Sequence, residues 1–375
     1  MPRVTWLFEY PTLNGGERSL LATLPAVRAA GYLVSAIAPA AGPLAEALAA
    51  EEIAVAPLAF RGADGTRRPL ETLRTELASR IADCRPDILH ANSLSMGRLA
   101  APVARAAGVR SIAHLRDIIN LKRRAIADLN EADRLLAVSA ATRDHHVAAG
   151  LSPEKTHVLH NGVDLDSFHP RPRDGWLGRE LGLPADTQLV ATIGQVVLRK
   201  GHDVLIRAAE TVATKMGNVH FLIVGQRYSI KREALDYENQ LRDACGRGPL
   251  AGRVHFLGER TDVARLLNEV DALVHPARQE PLGRVLLEAA AAGTPVIATD
   301  VGGTREIFPD DAHAARIVPP DDDAAIAREL SNLLTDPDAR RSLGENARLR
   351  AETAFDIRLA TEGLVRHYLE VSAPA

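Results

Sequence analysis

Short apolar runs alternate with longer amphipathic stretches along most of the chain. In the first half, the apolar runs predict strands at residues 3–8, 32–38, 53–58, 87–90, 111–114, 135–138 and 157–160. The stretches between them predict helices at 20–30, 44–51, 70–83, 96–107 and 118–130. Strands that alternate with helices at this spacing indicate βαβ units and a parallel sheet, so we predict an α/β fold.

The alternation restarts after residues 166–183, a charged, proline-containing stretch that is typical of an exposed connection between domains. Further strands are predicted at 189–193, 219–224, 254–257, 272–275, 296–299 and 315–318. Helices follow at 324–334, 340–353 and 357–369. We therefore expect two α/β domains in tandem, residues 1–168 and 169–355, with a C-terminal helix within 356–375.

Composition places the chain among ordinary globular proteins. Hydrophobic residues make up 46% and charged residues 25% of 375, and the net charge of −3 argues against general binding of nucleic acid. Cys84 and Cys245 lie far apart, so neither a disulfide framework nor a zinc site is indicated. No apolar stretch reaches the roughly 18 residues that cross a bilayer, and the N-terminus lacks the shape of a signal peptide. We expect a cytoplasmic protein.

Two glutamates flank the start of a predicted helix in the second half. Glu280 follows the apolar run at 272–275, and Glu288 lies within the helix at 285–292, which Gly293 ends. Backbone N–H groups around Gly283 and Arg284 should project from the helix N-terminus, where an anion binds favourably. A carboxylate beside open backbone donors suits a ligand that carries both hydroxyl and phosphate groups.

The pattern Glu-x7-Glu, followed by Ala-x-Ala-x-Gly-x-Pro-Val-Ile-Ala, resembles the donor-site motif of the family 4 retaining glycosyltransferases of the GT-B fold. The resemblance implies two Rossmann-like domains that face each other across a cleft, with the last helix crossing back to the first domain. It also implies that Glu280 lies at the transferred sugar and that Glu288 binds the ribose of the nucleotide. Leu282, Gly283 and Arg284 fall in the same donor-binding segment.

The segment Gly194–Gly201 resembles the family's Gly-Arg-x4-Lys-Gly, whose Arg and Lys hold the diphosphate of the sugar nucleotide. Lys200 and Gly201 match, but Gln195 stands in place of the Arg. Glutamine donates hydrogen bonds without supplying charge or a bidentate grip. Arg199 is the neighbouring cation that would compensate, and a solvated lysine at a helix start is the alternative for Lys200.

Ligands of doubly wound sheets bind outside the carboxyl ends of the strands, which directs attention to two places in the first half. Gly15 and Gly16 follow the first strand, where the family has a Gly-Gly pair and the backbone can approach a phosphate. His114 ends the fifth predicted strand, where the family has an active-site histidine facing the transferred sugar. Arg116 and Asp117 are either ion-pairing loop residues or acceptor contacts.

Several other motifs remain open or favour a structural role. Ser139 and Arg143 match a family segment near the cleft, and Asn161-Gly162 predicts a tight turn. The acidic run 321–323 is better suited to capping the next helix than to binding a metal. The basic residues at 67–68 and 122–124 are either a solvated face or a patch for anionic lipid or a phosphorylated acceptor.

Taken together, these patterns predict a retaining, metal-independent glycosyltransferase that moves a hexose from a nucleotide-diphospho-sugar to an acceptor hydroxyl. His114, Lys200 and Glu280 are the candidate catalytic residues. The candidate donor-binding residues are Gly15, Gly16, Gln195, Arg199, Lys200, Glu280, Leu282, Gly283, Arg284 and Glu288. No cofactor and no metal is predicted, the partners are the sugar nucleotide and the acceptor, and a peripheral contact at the inner face of the membrane is an alternative location. A non-catalytic sugar-nucleotide-binding protein is the rival interpretation, and the sequence does not decode the sugar, base, acceptor or oligomeric state.

Overall fold

The structure is a computed structural model that describes residues 1–62 and 64–373. The chain divides into two compact units, Met1–Gly162 together with the segment that starts at Ile357, and Val163–Asp356. Residues 166–183, which we interpreted as a linker, lie inside the second unit. There Trp176 and Leu177 begin a short helix and are buried, whereas residues 170–174 are exposed and lie outside helix and strand.

The first unit is built on a parallel sheet with strand order β3-β2-β1-β4-β5-β6-β7. Its strands are β1 (Arg3–Leu7), β2 (Leu33–Ala38), β3 (Ala54–Pro57), β4 (Ile88–Ala91), β5 (Arg110–Leu115), β6 (Arg134–Ala137) and β7 (Thr156–Val158). Its first helices are α1 (Gly15–Leu21), α2 (Leu24–Ala29), α3 (Pro43–Ala50), α4 (Leu70–Cys84), α5 (Leu94–Ala106), α6 (Arg123–Asn130) and α7 (Ala140–Ala148).

The second unit repeats this architecture on a parallel sheet of order β10-β9-β8-β11-β12-β13. The strands are β8 (Gln188–Ile193), β9 (Val219–Val224), β10 (Val254–Gly258), β11 (Ala272–His275), β12 (Val296–Thr299) and β13 (Arg316–Val318). The helices are α8 (Trp176–Glu180), α9 (His202–Lys215), α10 (Arg232–Cys245), α11 (Val263–Leu267), α12 (Arg284–Ala292), α13 (Thr304–Ile307), α14 (Asp323–Thr335) and α15 (Pro337–Ala354).

Both sheets reverse their winding direction at the first strand. The chain moves outward from β1 through β2 and β3, then returns to place β4 on the other side of β1. The second unit does the same with β8 and β11. At such a switch point the loops after the two central strands diverge to opposite faces of the sheet, and this leaves a crevice outside their carboxyl ends.

The last helix, α16 (Ile357–Ser372), belongs to the first unit. Its Leu364 and Tyr368 are buried in an apolar cluster with Trp6 of β1 and Ile112 of β5. The helix therefore covers one face of the first sheet and brings residues from the end of the chain against its central strands. The two final residues of the predicted segment 356–375 lie outside the described residues.

Two helix predictions for the first unit were wrong in extent, each for a local reason. The predicted helix 20–30 is divided into α1 and α2. Pro25 has no N–H to donate to a continuous helix, and the Thr23 hydroxyl donates to the carbonyl of Leu20 at 2.6 Å. The predicted helix 118–130 begins only at Arg123. The carbonyls of Asp117 and Ile119 instead accept hydrogen bonds from His146 and His145 of α7, at 2.8 and 3.1 Å.

The Asn161-Gly162 pair does not form the predicted tight turn. A Cβ at position 162 would lie 2.5 Å from the Cα of Ile357, so glycine is required there by the close approach of the start of α16. The capping role predicted for the acidic run was confirmed at Asp322, whose carboxylate accepts from the N–H of Ala325 at 2.8 Å. Its neighbours Asp321 and Asp323 pair with arginines.

Candidate active site

Lys200 and Glu280 meet at the switch point of the second unit. Lys200 lies in a turn of 3-10 helix after β8, and Glu280 lies in the loop after β11. The Lys200 ammonium forms an ion pair with Glu280 Oε2, and the same oxygen accepts a 2.8 Å hydrogen bond from His275 Nε2. All three side chains are largely shielded from solvent, with 14% of the lysine and 9% of the glutamate exposed. The structure thus brings together two residues that the sequence placed 80 positions apart.

The charge state of Glu280 follows from these contacts. Burial by itself would raise the pKa of the carboxyl group, but the nearby Lys200 charge and the hydrogen bond from His275 outweigh it and hold the pKa well below its usual range. Burial and the same lysine lower the pKa of His275, so the imidazole is neutral and donates through Nε2. The cluster therefore holds a buried carboxylate, Glu280, against the largely shielded side chain of Lys200.

The two loops that carry this pair are locked together by Arg278. Its backbone N–H bonds to the carbonyl of Arg199 at 2.8 Å, and its guanidinium bonds to the carbonyl of Leu198 at 2.8 Å. The same guanidinium pairs with Asp203 at 2.6 Å and with Asp321 at 2.6 Å. Burial would raise the pKa of Asp203, but Arg278 and the Tyr237 hydroxyl lower it overall. The positions of Lys200 and Glu280 are therefore set before any ligand arrives.

Gly201 allows these loops to touch. Its φ is +68°, and a Cβ would lie only 1.8 Å from the carbonyl oxygen of Pro276. A side chain at this position would separate the Lys200 turn from the loop that carries Glu280. The glycine beside the lysine thus has a structural reason that is independent of any ligand.

The predicted donor segment forms the start of α12. Gly283 is the N-cap residue with φ of +104°, and the preceding Leu282 is fully buried. Arg284 bonds through Nε to Glu288 Oε1 at 2.7 Å along the same face of the helix. The positive end of the α12 dipole lies beside the loop of Glu280, whose carbonyl also accepts from the N–H of Gly303 at 3.2 Å.

The other two residues of the predicted phosphate site lie in the loop after β8. Gln195 is half-buried and Arg199 is exposed. The Arg199 charge contributes to lowering the pKa of His275, so its field reaches the Lys200 cluster. The Lys200 side chain passes over Gly194, with Cε 3.6 Å from where a Cβ of that glycine would stand. Lys200 and Arg199 therefore both place positive charge near the loop in which Gln195 replaces the arginine of the family pattern.

In the first unit, the Gly-Gly pair lies beside Arg116. Gly15 and Gly16 open α1, whose N-terminus is closed by a capping box between Asn14 and Glu17. A Cβ on Gly16 would come within 3.0 Å of Arg116 Cδ. The loop after β1 and the loop after β5 therefore converge at this arginine.

Arg116 makes several hydrogen bonds in the loop after β5. Its guanidinium bonds to Asn92 Oδ1 at 2.8 Å, to the Asn92 carbonyl at 3.0 Å and to Asn161 Oδ1 at 2.9 Å. Its Nη2 also lies 3.3 Å from His114 Nδ1. The Arg116 charge also acts on Glu17 of α1, where it opposes the rise in the carboxyl pKa that burial causes.

His114 is buried at the end of β5, with 4% of its surface exposed. Its Nδ1 lies 2.8 Å from Nε2 of His90, whose Nδ1 in turn lies 2.6 Å from the hydroxyl of Tyr368. Burial, and then the charge of Arg116, hold the pKa of His114 well below its usual value. The histidine is therefore a neutral hydrogen-bonding group.

The remaining open motifs of the first unit serve the fold. Ser139 caps α7 and accepts from the N–H of Thr142 at 3.0 Å, and Arg143 pairs with Asp144. Three of the five basic residues pair with carboxylates, Arg67 with Glu9, Arg68 with Glu76 and Arg124 with Glu71. These pairs reduce the positive charge that the patch offers to an anionic surface. Among the described residues, no helix is both long and apolar enough to cross a membrane.

Sequence reasoning missed the residues that position the candidate site. His275 had a signal, because it ends an apolar strand and lies five residues before Glu280. Arg278 had only its place in the same loop. Asn92 follows the strand β4 and could have been examined under the rule that ligands bind at strand ends.

Comparison with known proteins bears on both units. The family model described as "Glycosyltransferase Family 4" matches residues 13–167, and the model described as "Glycosyl transferases group 1" matches residues 178–350. The chain belongs to the family 4-like glycosyltransferases of the GT-B fold. The boundary between the two matches falls close to the division between the two units.

Relatives of this glycosyltransferase include curated bacterial proteins. It is 36% identical over 178 residues to the D-inositol 3-phosphate glycosyltransferase of Mycobacteroides abscessus, a match that covers 47% of this chain and 38% of that protein. It is 32% identical over 239 residues to D-inositol 3-phosphate glycosyltransferase 1 of Catenulispora acidiphila, covering 58% and 56%. The matched stretches thus span between about a third and just over half of these relatives.

Solved structures share the fold over nearly the whole chain. The Anabaena protein HepE in complex with UDP and glucose superposes with a TM-score of 0.86 at 24% identity, covering 98% of this glycosyltransferase and 99% of that chain. The sucrose-phosphate synthase of Thermosynechococcus elongatus superposes with a TM-score of 0.81 at 20% identity, covering 99% of both chains. At these identities the similarity establishes the fold.

Proposed function

We propose that the protein transfers a hexose from a nucleotide-diphospho-sugar to an acceptor hydroxyl with retention of anomeric configuration and without a metal ion. The observation that carries the proposal is the preorganised cluster of Lys200, Glu280 and His275 at the switch point of the second unit. A largely shielded cation beside a helix N-terminus matches the charge of a diphosphate, and a buried carboxylate matches sugar hydroxyls.

The leaving group explains why the cluster is built around charge. When the bond between the anomeric carbon of the sugar and the phosphate oxygen breaks, negative charge develops on that oxygen. Lys200, the positive end of α12 and the nearby Arg199 stabilise that charge, and because their positions are already set, no reorganisation is required during the reaction. Before the reaction, when the donor binds, Lys200 exchanges its contact with Glu280 for one with phosphate, Glu280 holds sugar hydroxyls, and Glu288 binds the ribose.

The first unit supplies neutral and cationic groups for the reaction. We assign His114 to the transferred sugar as a hydrogen-bonding residue, and Gly15 and Gly16 to close backbone contact with the donor. Arg116 provides a fixed positive charge next to the same glycines. A uridine nucleotide with glucose is the first donor to test, because HepE was solved with UDP and glucose and shares the fold.

The proposal is tested by incubating the protein with UDP-, GDP- and ADP-sugars and measuring release of nucleoside diphosphate with and without acceptors. D-inositol 3-phosphate belongs in the acceptor set, because the curated relatives carry that name. We expect acceptor-dependent release, an unchanged rate in EDTA, and a product with the anomeric configuration of the donor. Absence of binding to every sugar nucleotide would overturn the proposal.

A non-catalytic sugar-nucleotide-binding protein is the second candidate, and Gln195 is the observation in its favour. A glutamine at this position gives the phosphates less charge stabilisation than an arginine. Gln195→Arg therefore separates the two candidates. An enzyme should show a severalfold change in turnover or donor affinity, whereas a binding protein should show tighter binding with no release of nucleoside diphosphate.

A further inference from the structure

A chain of buried hydrogen bonds runs from the end of the chain to His114. The Trp6 indole nitrogen lies 3.1 Å from the Tyr368 hydroxyl, which lies 2.6 Å from His90 Nδ1. His90 Nε2 lies 2.8 Å from His114 Nδ1. Trp6, Tyr368 and His90 are completely buried. We call these three residues, with His114, the relay.

The fold explains why these side chains meet. Trp6 and His90 are paired in the register of β1 and β4, so their side chains project from the same face of the sheet. His90 is paired with Ile112 of β5, and His114 lies two residues further along that strand, on the same face. Helix α16 covers this face and inserts Tyr368 between Trp6 and His90.

At each end of the relay lies a group that can only donate a hydrogen bond. These two groups fix which partner donates in every hydrogen bond between them. The indole N–H of Trp6 only donates, so the Tyr368 oxygen accepts there and turns its own proton toward His90 Nδ1. At the other end, a guanidinium nitrogen of Arg116 lies 3.3 Å from His114 Nδ1, and a guanidinium also only donates. A neutral His90 therefore accepts at Nδ1 and donates from Nε2. The acceptor of that second hydrogen bond is the unprotonated Nδ1 of His114.

We propose that Tyr368, together with Trp6 and His90, is a positioning residue that holds His114 as the neutral tautomer with its proton on Nε2. In that state His114 meets its ligand as a hydrogen-bond donor and cannot take up the proton of an acceptor hydroxyl. The role toward the sugar rests on the function proposed above, whereas the tautomer itself does not.

Burial is consistent with a neutral relay. Desolvation, followed by the charge of Arg116, lowers the pKa of His90 to about 3, and the same two causes lower the pKa of His114. Two neutral imidazoles with one proton each can satisfy the donor and acceptor order described above. A protonated His90 would also donate from Nδ1, so the Tyr368 oxygen would accept from both His90 and Trp6, and neither neighbour would accept the tyrosine proton.

The tautomers can be measured directly in the ligand-free protein. Histidine labelled with ¹⁵N gives long-range proton–nitrogen spectra that distinguish protonated from unprotonated ring nitrogens, and His114→Gln and His90→Gln assign the two signals. We expect protons on Nε2 of both histidines. A proton on Nδ1 of His114 in the unmodified protein would overturn the proposal.

Tyr368→Phe removes the hydroxyl that donates to His90 Nδ1 at 2.6 Å, so only the longer 3.3 Å contact from Arg116 still favours this order, and we expect mixed tautomers at both histidines. The matched control is Tyr32→Phe, because Tyr32 is buried with its ring centroid 5.4 Å from that of Tyr368 but is not a member of the relay. Unchanged tautomers in Tyr368→Phe would remove the tyrosine from the proposal. Should that variant not fold, Trp6→Phe removes the indole donor at the same end and is expected to mix the tautomers too.

Activity gives a second readout. Tyr368→Phe should lower kcat for sugar transfer about five- to tenfold with the donor KM within about twofold, and Tyr32→Phe should leave both unchanged. If no sugar is ever transferred, the proposed function fails while the spectra still decide the tautomer. If transfer occurs and the spectra of Tyr368→Phe match the unmodified protein, only the relay fails.

Discussion

The candidate residues of both units lie at or just beyond the carboxyl ends of strands in similar parallel sheets, yet they differ in chemistry. In the second unit, Lys200 and Glu280 form a buried ion pair supported by His275. In the first unit, His114 lies at the end of a neutral hydrogen-bonded relay, and the Arg116 guanidinium contacts its Nδ1. One site is organised by charge and the other by the direction of hydrogen bonds.

This difference corresponds to two tasks in the proposed reaction. A departing diphosphate changes its charge, so fixed charges of opposite sign stabilise it most. A sugar hydroxyl does not change its charge in the same way, and it is recognised by donors and acceptors in a defined order. We therefore expect substitutions in the second unit to act through charge and those in the first unit through geometry.

The largest effect is expected from Lys200→Gln. Loss of the cation should reduce the rate of sugar transfer about 10²- to 10³-fold, because negative charge on the leaving group loses its closest counter-charge. The variant should also unfold at a lower temperature, since Glu280 stays buried without its cation. Steady-state kinetics and thermal unfolding measure both effects.

Lys215→Gln is the matched control, because it removes the same charge from an exposed position at the end of α9. It should leave the rate and the unfolding temperature unchanged. A Lys200→Gln rate within about threefold of the unmodified protein would contradict a role for this lysine in charge stabilisation.

A smaller loss is expected from Arg116→Lys, which keeps the charge and changes the geometry. Lysine cannot reach Asn92 and Asn161 at once in the way that the guanidinium does, so we expect transfer to fall roughly 10- to 100-fold. Arg110→Lys, at the opposite end of β5, is the control. Equal rates in Arg116→Lys and the unmodified protein would show that charge alone matters in the first unit, contrary to the comparison above.

The pH dependence of stability should separate the two chemistries. Because the folded-state pKa of Glu280 is lowered, its stabilising contribution is present above the unfolded pKa of about 4.3 and is lost as the pH falls toward the folded value. The pKa of His90 is also lowered, so the unfolded chain takes up its proton first and stability falls below about pH 6.5.

Urea unfolding of the unmodified protein and of Glu280→Gln measures this separation. The two free energies of unfolding should decline in parallel from pH 7 to pH 5, with the unmodified protein the more stable. They should converge only below about pH 4.3, with a slope of at most about 1.4 kcal/mol per pH unit for one proton. Curves that stay parallel below about pH 4.3 would mean that the pKa of the Glu280 carboxyl is not lowered in the folded protein.

The smallest effect is expected on the free energy of unfolding, from a buried histidine that is not part of the relay. His202 at the start of α9 is 1% exposed, and neither of its ring nitrogens has a hydrogen-bond partner among the described residues. His202→Leu should raise the free energy of unfolding by about 1 kcal/mol, because an unpaired buried polar group is replaced by an apolar one. His90→Leu should lower it, since the relay loses two hydrogen bonds. A loss of stability in His202→Leu would show that this imidazole has a partner.

Much of the fold was predictable because its signals are local. Apolar runs such as 219–224, 272–275 and 296–299 coincide with β9, β11 and β12, and Asp322 lies at a cap where its residue type indicates one. Predictions failed where a distant residue decided the outcome. The carbonyls of Asp117 and Ile119 are taken by histidines of α7, which no periodicity of residues 118–130 could indicate.

The residues of the candidate site also divide into those that the sequence indicated and those that depend on distant contacts. The resemblance singled out Lys200 and Glu280, and the structure shows that they touch. It did not indicate His275 or Arg278, which hold that pair in place, because their roles depend on the approach of two loops. Tyr368 lies 278 residues after His90, so the relay follows only from the packing of α16 on the sheet.

The most direct test of the contrast between a charged and a neutral site is the binding of UDP measured by titration calorimetry. Three proteins are compared: the unmodified chain, Lys200→Gln and His114→Asn. We predict that UDP binding weakens about 10- to 100-fold in Lys200→Gln, because a charge-assisted contact to phosphate is lost, and stays within about twofold in His114→Asn. Equal affinities in Lys200→Gln and the unmodified protein, or an equal loss in both variants, would contradict the account.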